Sequence, residues 1–449
     1  MNVRVRFPPS PTGFCHVGTA RMAILNYLFA KKHGGTIIFR SEDTDKVRSK
    51  REYEEDIIEQ LKWLGLSWDE FYRTTELVES HKEALARLIA EDKAYVSKEE
   101  SKKEPGVRVE VVRLRNPGKK ITFTDLIRGD ITFDTAELGD FTIARAIDDP
   151  LYHLAVVVDD GEMGITHVIR GEDHISNTPR QILIQEALGY PRPEYAHYPL
   201  HLGTDKSKLS KRTGDVAVKS YRERGFLPEA LLNYIAILGW TPPSAREVLS
   251  LREMIEEFEI GDLHKSGAVF DIEKLRWFNR QYLLKEPESS FAHEAITIMK
   301  SELSARSISW DEAAGERIMP LVRERISVWQ DLRTLIGEGE FDFFFAAPAP
   351  EPSTIPGKGN DAGTARKHLQ HVQKIFDEIP SAEWNETRLK DSVWDYATNE
   401  GRAAVLWPLR YALTGKERSP DPFLVGAAIG KDAVLKRIEA ALSLLTSKA

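Results

Sequence analysis

The sequence predicts an α/β protein, with a doubly wound parallel sheet that carries a small inserted β-rich domain and is followed by an all-α C-terminal region. Three observations support this prediction. Short β-branched runs alternate with helical patterns over the first part of the chain, as in parallel α/β sheets. The stretch from Lys98 to Lys120 alternates as strands do and holds eight Lys or Arg against four Glu. Beyond residue 215 almost every apolar pattern has helical spacing.

The first element is a strand, predicted for Val3–Phe7 from its alternating hydrophobicity. Three prolines and a glycine follow, which end the strand and favour a rigid, exposed loop. His16, Gly18 and Thr19 then fall where a helix is predicted to begin, over 19–33. Backbone N–H groups and the positive end of a helix form a site for an anion. The alternative for this stretch is an ordinary strand-to-helix connection.

The second strand is predicted for Thr36–Phe39, a short β-branched run, and helices are predicted for 50–64 and 77–90 from apolar residues at core spacing. The polar cluster Arg40–Asp45 directly follows the strand. In a parallel α/β sheet, ligands bind at the carboxyl ends of the strands. This cluster is therefore a candidate for contact with a ligand.

Three further strands are predicted after the insertion. One is a buried strand at Leu151–Val158, the next is Ile165–Ile169, which leads into Arg170, and the last is Tyr198–Leu202. The last strand runs into Gly203–Arg212, a loop with four positive charges. This loop either contacts an anion or is an ordinary solvated basic loop. The basic insertion leaves the same choice, between a solvated sheet edge and contact with a nucleic-acid backbone.

The C-terminal part is predicted to be helical, beginning with an amphipathic helix at 228–240. A linker rich in Pro, Gly and Ala is predicted at 346–363. Further helices are predicted at 272–284, 311–336, 365–378 and 432–445.

Composition excludes several classes of protein. The chain of 449 residues has no apolar run of about 18 residues, so no membrane span is expected. Its N-terminus lacks the pattern of a signal peptide, so we expect a cytoplasmic protein. A single cysteine, Cys15, excludes an internal disulfide and a zinc site built from several thiolates. The net charge of −8 does not favour nucleic-acid binding, although an acidic chain can carry local basic faces.

Charged and polar side chains are predicted to lie together near the ends of the strands. Arg6, Glu42, Tyr152 and Arg170 are all predicted near strand ends, together with the proline-rich loop and the basic loop. Such a site has cations for a carboxylate, a carboxylate for an amine, and donors for a polyphosphate. These groups suit the activation of an amino acid with ATP, in which the protein contributes positioning and charge stabilisation.

Two signatures resemble those of a known family. Pro-Ser-Pro-Thr-Gly13 followed by His16-Val-Gly-Thr19 resembles the HIGH signature of class I aminoacyl-tRNA synthetases, and Lys208-Leu-Ser-Lys-Arg212 resembles their KMSKS loop. The resemblance runs over nearly the whole chain and is specific to the bacterial-type glutamyl-tRNA synthetases. The motifs that look like this glutamyl branch are Ser-Glu-Asp-Thr-Asp45, Val-Ile-Arg-Gly-Glu-Asp-His174 and Asn-Thr-Pro-Arg180.

The resemblance implies which residues bind glutamate. Arg6 and Arg170 would hold the carboxylates, since a guanidinium can form a bidentate pair with each. Ser10 would add a hydroxyl contact and Glu42 would take the ammonium group. Tyr152 would pack and hydrogen-bond against the side chain of the substrate.

The resemblance also implies an ATP site, with His16, Lys208 and Lys211 as the catalytic residues. Lys211 is the better candidate for contact with the transition state. Magnesium would accompany ATP to neutralise the polyphosphate, without a dedicated protein cage, and no structural zinc is expected. The residues implied for ATP binding are His16, Gly18, Thr19, Asp173, His201, Lys208, Ser210, Lys211 and Arg212.

A division of the chain follows from the same resemblance. Residues 1–94 and 151–215 would form the two halves of the Rossmann-like catalytic domain, and 95–150 would be a short inserted domain that binds the acceptor end of a tRNA. Residues 216–310 would contact the tRNA stem and 311–449 its anticodon. The implied partners are tRNA(Glu) and L-glutamate, with no membrane, and the implied state is a monomer.

Two other functions are compatible with parts of these patterns. One is a related nucleotidyltransferase, which would share the HxGH-type site but transfer to another acceptor. The large C-terminal region and the pair Glu42 and Arg170 argue against it. The other is a non-catalytic RNA-binding paralogue, which the intact His16, Lys208 and Lys211 argue against.

Overall fold

The computed structural model describes residues 2–45, 47–100, 108–203 and 216–446. By its internal contacts the chain divides into two compact units, Met1–Tyr282 and Leu283–Ala449. The five-part division expected from the sequence remains a prediction.

The first unit contains the strands of the described structure. They are β1 (Arg4–Phe7), β2 (Thr36–Ser41), β3 (Glu70–Arg73), β4 (Ala94–Glu100), β5 (Arg108–Leu114), β6 (Lys120–Asp125), β7 (Gly129–Asp134), β8 (Phe141–Ala146), β9 (Asp149–Pro150), β10 (His167–Gly171) and β11 (Glu194–Tyr198).

Helices of the first unit connect and cover these strands. They are α1 (Val17–Lys32), α2 (Arg51–Trp63), α3 (Val78–Ala90), α4 (Tyr152–Glu162), α5 (Thr178–Leu188), α6 (Val218–Glu223), α7 (Pro228–Ile237), α8 (Leu251–Glu257) and α9 (Ile272–Lys285), of which α9 runs past the boundary between the units.

The second unit is all-helical in its described part, as predicted. Its helices are α10 (Glu288–Ala305), α11 (Glu312–Arg325), α12 (Trp329–Gly337), α13 (Asp342–Phe345), α14 (Ala362–Glu378), α15 (Glu386–Glu400), α16 (Arg402–Thr414), α17 (Pro422–Ile429) and α18 (Lys431–Thr446).

A parallel sheet in two parts forms the centre of the first unit. Strands β1, β2 and β3 are parallel and hydrogen-bonded in that order. Strands β10 and β11 are parallel to each other and continue into β6 and β7. The two parts meet where the Thr166 N–H donates to the Arg4 carbonyl at 3.0 Å. The predicted α/β class is therefore confirmed.

Helix α1 packs against both parts of this sheet. It contacts β1, β2 and β10 on one side and α7 on another, and most of its residues are buried. Because it is buried nearly all round, its apolar residues do not form a single stripe. The helix ends at Lys32 with His33 as its C-cap, and Gly34 follows with a left-handed φ of +61° that favours glycine.

The insertion is divided between two sheets. Strands β4, β5, β8 and β9 form an antiparallel sheet of their own, which confirms the predicted β pattern for the described residues. The hairpin of β6 and β7 instead extends the second part of the central sheet through β11. The hairpin therefore brings its turn, which begins at Asp125, toward the end of β11.

The predicted strand at Leu151–Val158 is wrong, because this stretch forms helix α4. Its residues from Leu154 to Asp160 are all buried, between α3, α5 and β8. A short continuous apolar run does not distinguish a fully buried helix from a buried strand by its period. Tertiary packing therefore decided the conformation against the β propensity of three consecutive valines.

Smaller differences concern the ends of elements. The strand predicted at Tyr198–Leu202 lies earlier, and Tyr198 is its last residue. The helix predicted at 228–240 ends at Ile237 and is buried on most sides, so it is not amphipathic. The helix predicted at 311–336 is two helices, because the chain is extended at Ile326 and Val328. None of the described helices is both long and apolar enough to cross a bilayer.

Candidate active site

A cavity of about 550 Å³ lies at the carboxyl ends of β1, β2 and β10, beside the start of α1. It brings together every predicted site residue that the structure describes. Four predicted residues, Lys208, Ser210, Lys211 and Arg212, lie outside the described residues. The predicted residues that line the cavity are Arg6, Ser10, His16, Gly18, Thr19, Glu42, Tyr152, Arg170, Asp173 and His201.

Arg6 is held at the floor of the cavity by a buried ion pair. Its Nε lies 3.0 Å from Oδ1 of Asp160, and its Nη2 lies 3.2 Å from Oδ2. Arg40 donates to the same carboxylate through Nη1 at 2.8 Å. Burial raises the pKa of Asp160, but the two guanidinium groups outweigh burial and hold this pKa below its usual value. Asp160 therefore fixes the plane of the Arg6 guanidinium.

Two guanidinium groups at the cavity are not fully compensated within the described chain. Nη1 of Arg6 is buried there without a hydrogen bond. Arg170 has no carboxylate within ion-pair distance in that part of the chain, although its side chain is almost completely buried. Burial lowers the pKa of Arg170. A buried guanidinium without an anion is costly, as for Arg170, and so is a buried N–H without an acceptor, as for Nη1 of Arg6. Both residues therefore favour a ligand that carries carboxylates.

Glu42 supplies the opposite charge. Its backbone N–H donates to the Pro9 carbonyl at 2.9 Å, which joins the end of β2 to the proline-rich loop. Its Oε1 accepts from Nη2 of Arg40 at 3.3 Å. Burial raises the pKa of Glu42, although Arg40 and Arg6 act in the opposite direction. A cation that enters the cavity would stabilise the ionised carboxylate.

Tyr152 is the first residue of α4 and lines the same cavity. Its hydroxyl lies 3.5 Å from Nδ1 of His174. Burial raises the pKa of Tyr152 and lowers the pKa of His174 to about 4. The phenol therefore stays protonated and the imidazole stays neutral near pH 7, which leaves a hydroxyl donor beside the two arginines.

His16 caps the start of α1. Its Nδ1 accepts the N–H groups of Gly18 at 3.1 Å and Thr19 at 3.2 Å, so the ring proton lies on Nε2. A Cβ atom on Gly18 would lie 3.0 Å from the His16 ring, so any other residue at this position would require the ring to shift. Thr19 is a residue type that can cap a helix, but His16 is the capping residue here. The exposed imidazole and the helix N-terminus face the cavity together.

The far side of the cavity contains His201. The side chain is buried, and neither ring nitrogen has a hydrogen-bond partner in the described structure. Burial lowers the pKa of His201 well below its usual value, so the ring is neutral. Val216 also lines the cavity. The described residues His201 and Val216, which lie on either side of positions 204–215 in the sequence, therefore both line this site.

Sequence reasoning missed three residues of the site. Asp160 pairs with Arg6, and Arg40 pairs with the same carboxylate of Asp160. Arg21 donates from α1 to the carbonyls of Pro199 and Leu238 at 2.5 and 2.8 Å. Arg40 belongs to the polar cluster that the sequence places after β2, so its position was a usable signal. Asp160 follows a stretch that the sequence predicts as a strand, but this stretch forms helix α4, so the prediction did not indicate its contact with Arg6. Arg21 lies in a helix pattern in which an arginine normally faces solvent.

No group of three His, Cys, Asp or Glu side chains that could hold a metal ion occurs among the described residues. The polar groups that line the cavity are mostly donors, namely cations, hydroxyls, imidazoles and backbone N–H groups. Two carboxylates, Glu42 and Asp173, also line it. This set fits anionic oxygen atoms better than it fits a metal ion.

Comparison with protein families matches both units. Residues 2–108 and 97–277 match the catalytic domain of class I tRNA synthetases (E and Q). Residues 290–442 match an anticodon binding domain.

Curated relatives match over the whole chain. The chain is 38% identical to the glutamate–tRNA ligase of Aquifex aeolicus, with 99% of each chain covered. It is 36% identical to the glutamate–tRNA ligase of Desulforamulus reducens, which covers 98% of this chain and 100% of the relative.

Solved structures agree with these relatives. The fold matches a glutamate tRNA ligase from Elizabethkingia meningosepticum, crystallised in complex with its amino acid, with a TM-score of 0.86 and 30% identity over 99% of each chain. A glutamate–tRNA synthetase from Elizabethkingia anophelis matches with a TM-score of 0.82 and 30% identity, over 99% of this chain and 100% of that one. The chain thus belongs to the glutamate–tRNA ligase family, within class I of the aminoacyl-tRNA synthetases.

Proposed function

We propose that this enzyme activates L-glutamate with ATP and transfers it to the 3′ end of tRNA(Glu). In the first step a carboxylate oxygen of glutamate attacks the α-phosphorus of ATP. The new O–P bond gives glutamyl-adenylate, and the broken bond releases pyrophosphate. In the second step a ribose hydroxyl of the tRNA attacks the acyl carbon, and AMP leaves. The protein contributes positioning and charge stabilisation to both steps.

The observation that carries this proposal is the arrangement of charges at the floor of the cavity. Two buried guanidinium groups, of Arg6 and Arg170, share one cavity with the Glu42 carboxylate. Glutamate has two carboxylates and one ammonium group, so its charges complement this arrangement. Glutamine would leave one guanidinium without an anion in a site where that loss is expensive. Ser10 and Tyr152 line the cavity and would add hydroxyl contacts.

The ATP part of the proposal places the phosphates at the start of α1. His16, Gly18 and Thr19 lie there, with an exposed imidazole and the positive end of a 16-residue helix. Asp173 and His201 would lie by the ribose and adenine, since a neutral buried imidazole suits a nucleobase. We propose that Lys208, Ser210, Lys211 and Arg212 close over the phosphates, with Lys211 at the transition state.

Magnesium enters the proposal as the ion that ATP carries. Mg²⁺ usually keeps several waters and binds through substrate phosphates rather than through a dedicated protein cage. When bound it would neutralise phosphate charge, while the cationic side chains of the site orient the phosphates.

For the tRNA, we propose that the second unit reads the anticodon, which its match to an anticodon binding domain supports. The proposed division assigns residues 95–150 to the acceptor end and 216–310 to the stem. A monomeric state and a cytoplasmic location remain predictions.

Pyrophosphate exchange tests the first step. The purified chain is incubated with ATP, labelled pyrophosphate and each amino acid in turn, with and without bulk tRNA. We expect label to enter ATP with glutamate and with no other amino acid, in the presence of tRNA. Exchange with glutamine instead of glutamate, or no exchange at all, would overturn the proposal. Exchange without any amino acid, but with another acceptor, would favour the nucleotidyltransferase.

A further inference from the structure

We propose that His197 and Asp125 are positioning residues, which fix the orientation in which Arg170 meets the substrate carboxylate. Neither residue lines the cavity. The inference rests on the proposed function, because it assigns Arg170 to glutamate binding.

His197 lies in β11, directly beside Arg170 in β10. Its side chain is fully buried. Its Nδ1 lies 2.6 Å from Oδ2 of Asp125, and its Nε2 lies 3.1 Å from Nε of Arg170. An arginine Nε always donates, so Nε2 of His197 must accept and the ring proton must lie on Nδ1. The tautomer is therefore fixed by its two partners.

Asp125 can only serve as an acceptor in this arrangement. Its Oδ1 accepts the backbone N–H groups of Ile127 and Arg128, each at 3.0 Å. Its Oδ2 accepts both the His197 N–H at 3.0 Å and Nδ1 of the same ring. Burial raises the pKa of Asp125, but the His197 ring outweighs burial and the pKa is lowered. An ionised Asp125 thus holds His197 in the tautomer that Arg170 requires.

Arg170 is held at two corners of its guanidinium plane. Nε donates to His197, and Nη2 donates to Oγ1 of Thr178 at 2.8 Å. The hydrogen bonds of the Arg170 side chain within the described chain involve only Nε and Nη2, and none involves Nη1. A planar guanidinium held at two nitrogens cannot rotate freely, so the direction in which its third nitrogen donates hydrogen bonds is fixed. Pre-organised donors of this kind need no reorganisation when the substrate binds.

The hairpin of β6 and β7 supplies this support from the insertion. Asp125 ends β6, and Arg128 in the turn donates through Nε to the His197 carbonyl at 3.0 Å. The same Arg128 pairs with Glu172, whose Oε1 accepts the Leu200 N–H at 3.0 Å. The turn therefore holds His197 by its ring and by its backbone. These contacts stabilise the position of the hairpin in the central sheet.

A matched pair of variants separates positioning from stability. His197→Gln keeps an acceptor near the place of Nε2, whereas His197→Asn keeps only a donor near Nδ1. Loss of a hydrogen bond to a charged group predicts that His197→Asn raises the KM for glutamate by about 10-fold or more. The KM for ATP should stay unchanged in both variants. His197→Gln should restore the glutamate KM to within about 3-fold of the wild-type value, a difference of under about 1 kcal/mol.

Thr178→Val provides a second route to the same test, because it removes the other bond to Arg170 and leaves the bond between His197 and Asp125 intact. It also removes the contact of 3.2 Å between Oγ1 of Thr178 and Nε2 of His197, so both supports of Arg170 are affected. It should also raise the KM for glutamate alone, and it decides the question if His197→Asn does not fold. An unchanged glutamate KM in the folded variants, or equal increases in KM for glutamate and ATP, would overturn the inference. Absence of glutamate-dependent exchange in the wild-type chain would instead overturn the proposed function.

Discussion

Arg6 and Asp160 form a bidentate pair, with Nε and Nη2 of the guanidinium 3.0 and 3.2 Å from the two carboxylate oxygens. The pair joins β1 to α4 across 154 positions of the chain. It leaves Nη1 of Arg6 as the nitrogen without a partner within the described chain. This ion pair thus stabilises the fold and also orients Nη1 of Arg6, the donor proposed to contact the substrate.

Replacement of Asp160 by Asn tests the structural part of this relationship. The variant removes the charge that compensates both Arg6 and Arg40 in a buried site. Breaking a buried ion pair costs about 3–5 kcal/mol, so we expect the free energy of unfolding at pH 7 to fall by this amount. Denaturant unfolding measures it.

The pH dependence of this loss has a definite sign. Because the folded pKa of Asp160 is lowered, its stabilising effect is complete above the unfolded value of about 3.9 and disappears as pH falls through the lower folded value. The difference between wild type and Asp160→Asn should therefore shrink in acid. Glu52→Gln is the control, since the exposed pair of Lys50 and Glu52 should contribute about 0–1 kcal/mol. Equal losses in the two variants would contradict a special role for Asp160.

The raised pKa of Glu42 predicts that glutamate binding weakens as the pH falls. The raised pKa of Glu42 means that the carboxylate takes up a proton at a higher pH than an ordinary Glu, whose pKa is about 4.3. The KM for glutamate should thus rise as pH falls toward the raised pKa of Glu42, because a protonated Glu42 no longer attracts the ammonium group. Steady-state kinetics between about pH 5 and pH 8 measure it, since the side chain of free glutamate stays ionised there.

Glu42→Gln is the matched variant for this profile. Its KM for glutamate should be high and should not change with pH over the same range. An acid limb that persists in Glu42→Gln would assign the titration to another group, and Glu42 would then not be the ammonium ligand.

Replacement of Gly18 by Ala is expected to weaken ATP binding through a steric effect. A Cβ atom at this position would lie 3.0 Å from Cε1 and Nδ1 of His16, so Gly18→Ala must displace the ring that caps α1. Loss of a helix cap and of one phosphate contact predicts an increase in the KM for ATP of about 10-fold, with little change in the KM for glutamate. Gly337→Ala is the control, because a Cβ there meets nothing within 4 Å. Equal ATP kinetics in the two variants would exclude the steric effect.

Replacement of Lys211 is expected to lower turnover without weakening substrate binding. Removal of one charge contact to a transition state costs about 10²-fold or more in kcat, and we expect this for Lys211→Ala. Lys219→Ala is the matched control, since Lys219 is an exposed lysine near Glu223. Single-turnover adenylate formation measures the effect. An unaffected rate in Lys211→Ala would remove this residue from the mechanism.

The charged residues proposed to contact glutamate were predictable from the sequence because they lie at or next to the ends of predicted strands. Arg6, Glu42 and Arg170 lie at the ends of β1, β2 and β10, and parallel topology brings such ends to one edge. Guanidinium and carboxylate groups that gather at such an edge are also uncommon enough to indicate a binding site. His16 and Gly18 were located because they follow the proline-rich loop at the point where apolar residues begin to recur at helical spacing.

The residues that support the site were not predictable in this way. Asp160 follows Leu151–Val158, which is predicted as a strand because it is almost entirely apolar and its period does not distinguish a helix from a strand. The pairing of Asp125 with His197 depends on the hairpin joining β11, which is a non-local event. Sequence patterns report local periodicity, whereas these contacts depend on which elements meet in space.

The most direct test of the central claim is the transfer of labelled glutamate to RNA. The purified chain is incubated with ATP, Mg²⁺ and a tRNA(Glu) transcript, and acid-precipitable label is followed with glutamate and, separately, with glutamine. We expect glutamate to become attached to the tRNA and to depend on ATP, and we expect no attachment of glutamine. Attachment of glutamine in preference to glutamate, or no attachment of either amino acid, would contradict the account.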